Sequence, residues 1–182
     1  MVEFALGFPV FLVMVTGIIE LSLIMFVSVL VEGGLREASR YGITGAEAEG
    51  TTREEQVIAI VQRHTHGLVD ISSENVTFLV YPSFGDIGEP EPLTVDVDGD
   101  GVYDPADGDE YDDVNGNGTW DEDMGAEGLG GPAQIVLYRV NYGWELVTPL
   151  LTPVFGGADG KIEMEATVAV RNEPYNDGEA GS

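Results

Sequence analysis

Carboxylates recur at Asp96, Asp98, Asp100, Asp104 and Asp107, with Gly101 set between the third and the fourth. These fall at positions 1, 3, 5, 9 and 12 of a calcium-type loop with its glycine at position 6, and Val102 falls at position 7, where a backbone carbonyl serves. The chemistry demands this spacing, because calcium gathers about 6–8 oxygens at about 2.3–2.6 Å and the glycine allows the sharp turn that lets one short segment supply them. Asp113, Asn115, Asn117, Gly118, Thr119 and Asp121 repeat positions 1, 3, 5, 6, 7 and 9, while Met124 stands where a carboxylate would close the second loop. Asp123 or an acid from the first loop must then substitute, and the expected cofactor is one or two calcium ions. Pro92, Pro105 and the many glycines deny both loops the flanking helices of an EF-hand, so isolated loops of the thrombospondin or dockerin type are closer in look. The competing reading is a solvated acidic linker, since a glycine-rich acidic segment buries too little apolar surface to order itself. Under the calcium reading, like-charge repulsion becomes coordination, and the insert over residues 86–130 is expected to order only with metal.

The chain as a whole is strongly acidic, and unevenly so: Asp and Glu crowd residues 86–123, and no Lys or Arg falls between Arg63 and Arg139. Asp and Glu outnumber Lys and Arg 33 to 7, for a formal charge of −26. Nucleic acid is thereby disfavoured as a partner, and cations are favoured. Cysteine is absent, which removes disulfides, thiolate zinc sites and thiol nucleophiles. His64 and His66, two residues apart on a helix, face different sides and suit no shared metal site. No Ser–His–acid arrangement and no glycine-rich phosphate loop is visible, so neither an enzyme nor a small-molecule substrate is expected.

The elements that must carry the loops follow from periodicity. Thr51 and Thr52 ahead of Glu54 and Glu55 offer capping boxes for a helix through Val57, Ile58, Ile60 and Val61, with Gly67 as its stop. Segments 75–81, 134–144 and 161–171 are rich in β-branched and aromatic residues and read as strands. In the last, Ile162, Met164, Ala166, Val168 and Val170 alternate with polar neighbours, giving one buried and one wet face. Helix followed by strands predicts an α+β fold, with an antiparallel sheet of three or four strands packed on helices. Trp120 and Trp144 read as buried anchors for the insert and the sheet.

From Phe4 to Val31 the only ionisable residue is Glu20, and a helix of that length exceeds the hydrocarbon thickness of about 30 Å. It continues past a soft point at Gly33 and Gly34 to Gly42 or Gly45, so a helical stalk over 1–48 precedes a head over 49–182. A helix apolar all round needs cover on every side, from lipid or from copies of itself. Arg36 and Arg40 follow the apolar run while no basic flank precedes it, which leads to the expectation that a basic leader was removed upstream. Glu20 calls for a partner: its own proton, Thr16 one turn earlier, or a neighbouring subunit. Pro9 would leave the Ala5 carbonyl without its bond, and with Gly7 and Gly17 nearby local unwinding is expected there.

Val-Glu-Phe-Ala-Leu at residues 2–6, Pro9, and Gly17-Ile18-Ile19-Glu20-Leu21 resemble the start of TadE-like pilins, in the tight-adherence branch of type IV pilus systems. Tyr142, the stretch around Pro149 and Pro153, and Arg171-Asn172-Glu173-Pro174-Tyr175 resemble that family's closing strand and tail. The resemblance implies a prepilin cut by a prepilin peptidase, with a glutamate at the fifth mature position that neutralises a neighbour's N-terminal amine. Glu3 matches that glutamate, two positions short of the family's count. The function expected is a structural subunit: held in the cytoplasmic membrane at first, then polymerised with identical copies into an extracellular filament, with Glu3, Pro9 and Glu20 serving assembly. The alternative is a membrane-anchored minor pilin or a calcium-dependent adhesion module outside the bulk of any filament.

Overall fold

The computed structural model describes residues 2–44, 50–149, 151–157 and 160–174. A single helix, α1 (Val2–Gly42), leads into α2 (Arg53–Thr65). Strands β1 (Val76–Tyr81), β2 (Leu93–Val95), β3 (Glu110–Tyr111), β4 (Ala126–Glu127), β5 (Ile135–Glu145) and β6 (Lys161–Arg171) follow, with a short helix α3 (Thr152–Phe155) between the last two. The main sheet is antiparallel in the order β4-β1-β5-β6, and β2 with β3 makes a separate two-stranded ribbon inside the acidic insert. The α+β class and the three long strands therefore fall where alternation and β-propensity put them.

Helix α1 does two jobs along its length. Val27, Val31, Leu35 and Ala38 recur at helical spacing and are fully buried against α2 and the sheet. Among the described side chains before Glu20 most stand clear, with Phe4 73%, Val10 70% and Ile18 59% exposed, and the outer face stays exposed beyond it at Leu21, Met25, Phe26 and Val29. The stalk is thus not apolar surface in need of foreign cover throughout, because its C-terminal half is part of the head's own core. Helix α1 is also unbroken at Pro9, against the expected unwinding. A proline's fixed φ of about −65° is itself helical, so the ring removes one hydrogen bond without forcing the chain out of the helix.

Gly34 is a point of contact and not a soft point. A Cβ there would lie 2.9 Å from the His64 Cβ and 3.2 Å from the Val61 Cα, so only glycine lets α2 cross α1 this closely. Helix α2 begins at the capping box foreseen, with Glu55 N donating to Thr52 Oγ1 at 3.2 Å and Thr52 N to Glu55 Oε2 at 3.0 Å. It ends with His66 in the left-handed region (φ 52°), followed by Gly67.

The sheet is buried on both faces at its middle, which is why β5 opens as the unbroken apolar run Ile135-Val136-Leu137-Tyr138. Even-numbered side chains, Val136, Tyr138, Val140 and Tyr142, meet α1 and α2. On the opposite face Leu79, Tyr81 and Leu137 meet Met124 from the insert, with Ile87, Val114 and Ala169 beside them. Along the tail, Asn172 Nδ2 donates to the carbonyls of Leu129 and Gly131 at 2.9 and 3.0 Å, and Glu173 N donates to Ile43 O at 3.1 Å. The Arg171–Pro174 stretch therefore ties the sheet to the end of α1; Tyr175, the last residue of that sequence motif, lies outside the described residues, as does Gly45.

Candidate functional site: paired acidic loops and a helix-to-head joint

The two loops of the insert are near copies, offset by seventeen residues. In the first, Asp96 accepts from Gly99 N at 2.7 Å and Gly101 N at 3.0 Å. In the second, Asp113 accepts from Gly116 N at 2.8 Å and Gly118 N at 2.9 Å. Asp98 and Asp100 cap the N–H groups of Asp100 and Val102, as Asn115 and Asn117 cap those of Asn117 and Thr119. Gly101 and Gly118, at position 6 of each loop, turn through the left-handed region at φ 77° and 81°, which is the reason glycine is required there.

Asp96, Asp98 and Asp100 each present a carboxylate oxygen within 4.8 Å of the other two. Oxygens at that separation can share one cation, given calcium–oxygen distances of about 2.3–2.6 Å. Asp104 and Asp107 stand outside this cluster: Asp104 Oδ1 accepts from Ala106 N at 2.7 Å, and Asp107 N closes a turn onto Asp104 O at 3.2 Å. In the second loop the Asn115 and Asn117 amides both reach Asp121 Oδ2, at 2.9 and 2.5 Å. The Asp123 carboxylate, the expected closing acid, is engaged by Tyr81 Oη at 2.7 Å and Gly125 N at 3.2 Å, with Arg139 at 3.9 Å.

Two carboxylates that spacing did not single out close the loops. Asp109 accepts from Val97 N and Asp104 N, both at 2.9 Å, which are positions 2 and 9 of the first loop. These backbone donors hold its carboxyl below the usual carboxylate range. Glu91 performs the matching task for the second loop, accepting from Val114 N at 2.9 Å, Asn115 N at 3.3 Å and Asp121 N at 3.3 Å, and it is buried. Met124 can occupy position 12 because that position is turned into the sheet face. The loops also meet through their eighth residues: Tyr103 stacks on Trp120 at 5.4 Å and 24°, while the Trp120 indole donates to Glu91 O at 3.0 Å. The shared aromatic at position 8 was the signal in the sequence that the loops are a pair.

A second site lies where α1 leaves the head. Glu20 is buried, and its Oε1 accepts from Trp144 Nε1 at 3.0 Å and Val147 N at 3.1 Å, while Oε2 accepts from Thr148 N at 2.9 Å. Thr16 is not its partner, because the Thr16 hydroxyl donates to the carbonyls of Leu12 and Val13. All three donors come from the end of β5 and the loop after it, so the carboxylate is satisfied within the chain. The Glu3 side chain lies outside what the structure describes.

The helix that carries Glu20 is long and apolar enough to cross a membrane, over Gly7–Gly42. Residues 1–40 match the family model of TadE-like proteins. The TadE-like match covers α1 and stops short of α2, the acidic loops and the sheet, so the likeness noted around Tyr142 and Arg171 lies outside it. No curated protein and no solved structure matches the chain.

Proposed function

We propose that this chain is a pilin-like structural subunit, seated in the cytoplasmic membrane by α1 and polymerised with copies of itself through that helix into an extracellular filament of the tight-adherence type. The observation that carries the reading is the apolar rod of residues 2–19, which projects from the head and lies within the TadE-like match over residues 1–40. Large contiguous apolar surface of this kind is covered in use, by lipid first and by like helices afterwards. Glu3 and Pro9 would then act at the docking end of the rod. Glu20, whose oxygens are taken up by its own head, would set how that head sits on the rod.

Calcium is the second part of the proposal. Asp96, Asp98 and Asp100 would hold one ion with the Val102 carbonyl, Asp104 and Asp107 completing it. Asp113, Asn115, Asn117, Thr119, Asp121 and Asp123 would hold another. The convergent Asp96–Asp98–Asp100 oxygens support the first of these most directly. Binding would neutralise part of the acidic surface and add its free energy to the folding of the insert.

Electron microscopy and mass spectrometry of sheared cell-surface material test the polymer. Fibres built mainly of this chain are expected; a trace presence beside another major subunit would favour the minor-pilin or adhesion-module reading. Limited proteolysis with and without chelator tests the metal. Cleavage within residues 96–123 should accelerate on adding EDTA and slow again with calcium, and Asp96→Asn with Asp100→Asn should abolish the response. An insert equally resistant in EDTA removes calcium from the account.

A further inference from the structure

The connection between β5 and β6 hangs from the end of the sheet where α1 emerges. Glu145 pairs with Lys161 in the last step of that hairpin, and Val147 N and Thr148 N are held on Glu20. From Leu146 to Gly157 this connection contains no charged side chain, Asp159 being its one charge ahead of β6, in a chain of net charge −26. Val147 and Phe155 are each 63% exposed, comparable with Ile18 at 59% and Leu21 at 58% on α1. Beside Phe155, against α1, opens an apolar pocket of about 340 Å³ lined also by Gly17, Leu21, Ile24, Leu151 and Ile162. Its charged lining residue is Glu20, whose two oxygens face N–H donors.

The depth of this surface follows from the helix. Residues 2–19 measure about 27 Å at about 1.5 Å per residue, against a hydrocarbon core of about 30 Å. A span that fills the core with those residues brings Glu20 to its outer edge, with the exposed Leu21, Met25, Phe26 and Val29 of α1 in the boundary beyond it, and the three donors fix the β5–β6 connection at the height of Glu20. A carboxylate at that depth is tolerated because Trp144, Val147 and Thr148 satisfy it, and an indole is well suited to the interface. Glu145 and Lys161 then lie at the headgroups. The acidic insert, leaving from Tyr81 beside Ile135, sits at the far end of β5 and clear of any anionic surface.

We infer that the β5–β6 connection is a membrane-seating foot: Val147 and Phe155 enter the acyl boundary, a lipid chain occupies the pocket, and the head rests on the bilayer in one orientation. The inference rests on the anchor half of the proposed function and is independent of polymerisation.

Because the chain has no cysteine, single labelled cysteines report depth cleanly. Val147→Cys, Phe155→Cys, Phe8→Cys and Phe84→Cys, each carrying an environment-sensitive fluorophore, are reconstituted as full chains in phosphatidylcholine–phosphatidylglycerol vesicles. Quenching by doxyl-labelled lipids is compared with quenching by aqueous iodide. The labels at 147 and 155 should follow the label at 8, quenched several-fold more by lipid than by iodide, and the label at 84 should show the reverse. If 147 and 155 behave like 84 while 8 is quenched by lipid, the foot is wrong and the anchor stands. If 8 is also reached by iodide, the anchor fails and the foot with it. Labels at 147 and 155 shielded from both quenchers, with self-quenching that grows with protein density, would overturn the lipid assignment in favour of a second copy.

Discussion

Glu91 shows how much of a binding loop can depend on a residue outside it. Its carboxylate receives three backbone N–H groups from the second loop. Glu91→Ala leaves those donors without partners in a buried place, at about 1–3 kcal/mol for each unsatisfied group before relaxation. We expect amide exchange over residues 113–121 to accelerate by at least tenfold in this variant, with β5 and β6 unaffected and Glu91→Gln intermediate. Tyr81 provides a pH-dependent test. Burial, then the Asp123 carboxylate beside it, push its phenol up to about 12 from an ordinary value near 10. A raised folded value means that the neutral phenol's contribution is fully present below about pH 10 and is lost as pH climbs toward about 12. The stability difference between wild type and Tyr81→Phe should therefore hold at neutral pH and vanish across that alkaline window, as read by chemical denaturation. At this scale the sequence was legible where geometry is local. Loop positions 1, 3, 5 and 6 could be counted off, whereas Glu91 and Asp109 act across distances in the chain that spacing rules do not cover. Glu20 was visible as an anomaly, but its donors lie more than a hundred residues away at Trp144, Val147 and Thr148.

Among the elements, strands and α2 could be read because each carries its own signal: alternation in β6, an apolar run in β5, a capping box on α2. What the pattern could not give was the division of α1. Val27 and Val31 look as oily as Val10 and Val13, and only the partner surface decides that the former pair is core and the latter pair is exposed. Two experiments probe that division. A chain lacking residues 1–19 keeps Glu20, Val27 and Val31 and should fold as a soluble head, whereas one lacking residues 1–31 loses two fully buried valines and should not; circular dichroism and sedimentation distinguish them. Gly34→Val places a branched side chain against His64 and Val61, where even a Cβ is too close. Overpacking of this kind costs about 1–3 kcal/mol, so the head should melt several degrees lower, while Gly33→Ala, with open space around it, should not lower it.

For the molecule as a whole, polarity runs along one axis. Apolar residues crowd the end marked by Ile18, Val147 and Phe155, and Asp and Glu crowd the end marked by the loops. That separation could be read from composition alone, since basic residues are missing between Arg63 and Arg139. The direction in which the insert leaves the sheet could not, because it depends on strand register.

The joint at Glu20 has a mechanical meaning. Tension applied to the free end of α1 does not reach the head through a flexible tether. It travels along a continuous rod whose buried side is shared with the sheet, and the first bonds to be sheared are those from Trp144, Val147 and Thr148. Beyond them the load spreads over Val27, Val31 and Leu35 together. Extension under force would thus begin with slippage at this joint, and the distal loops would be the last part to feel it.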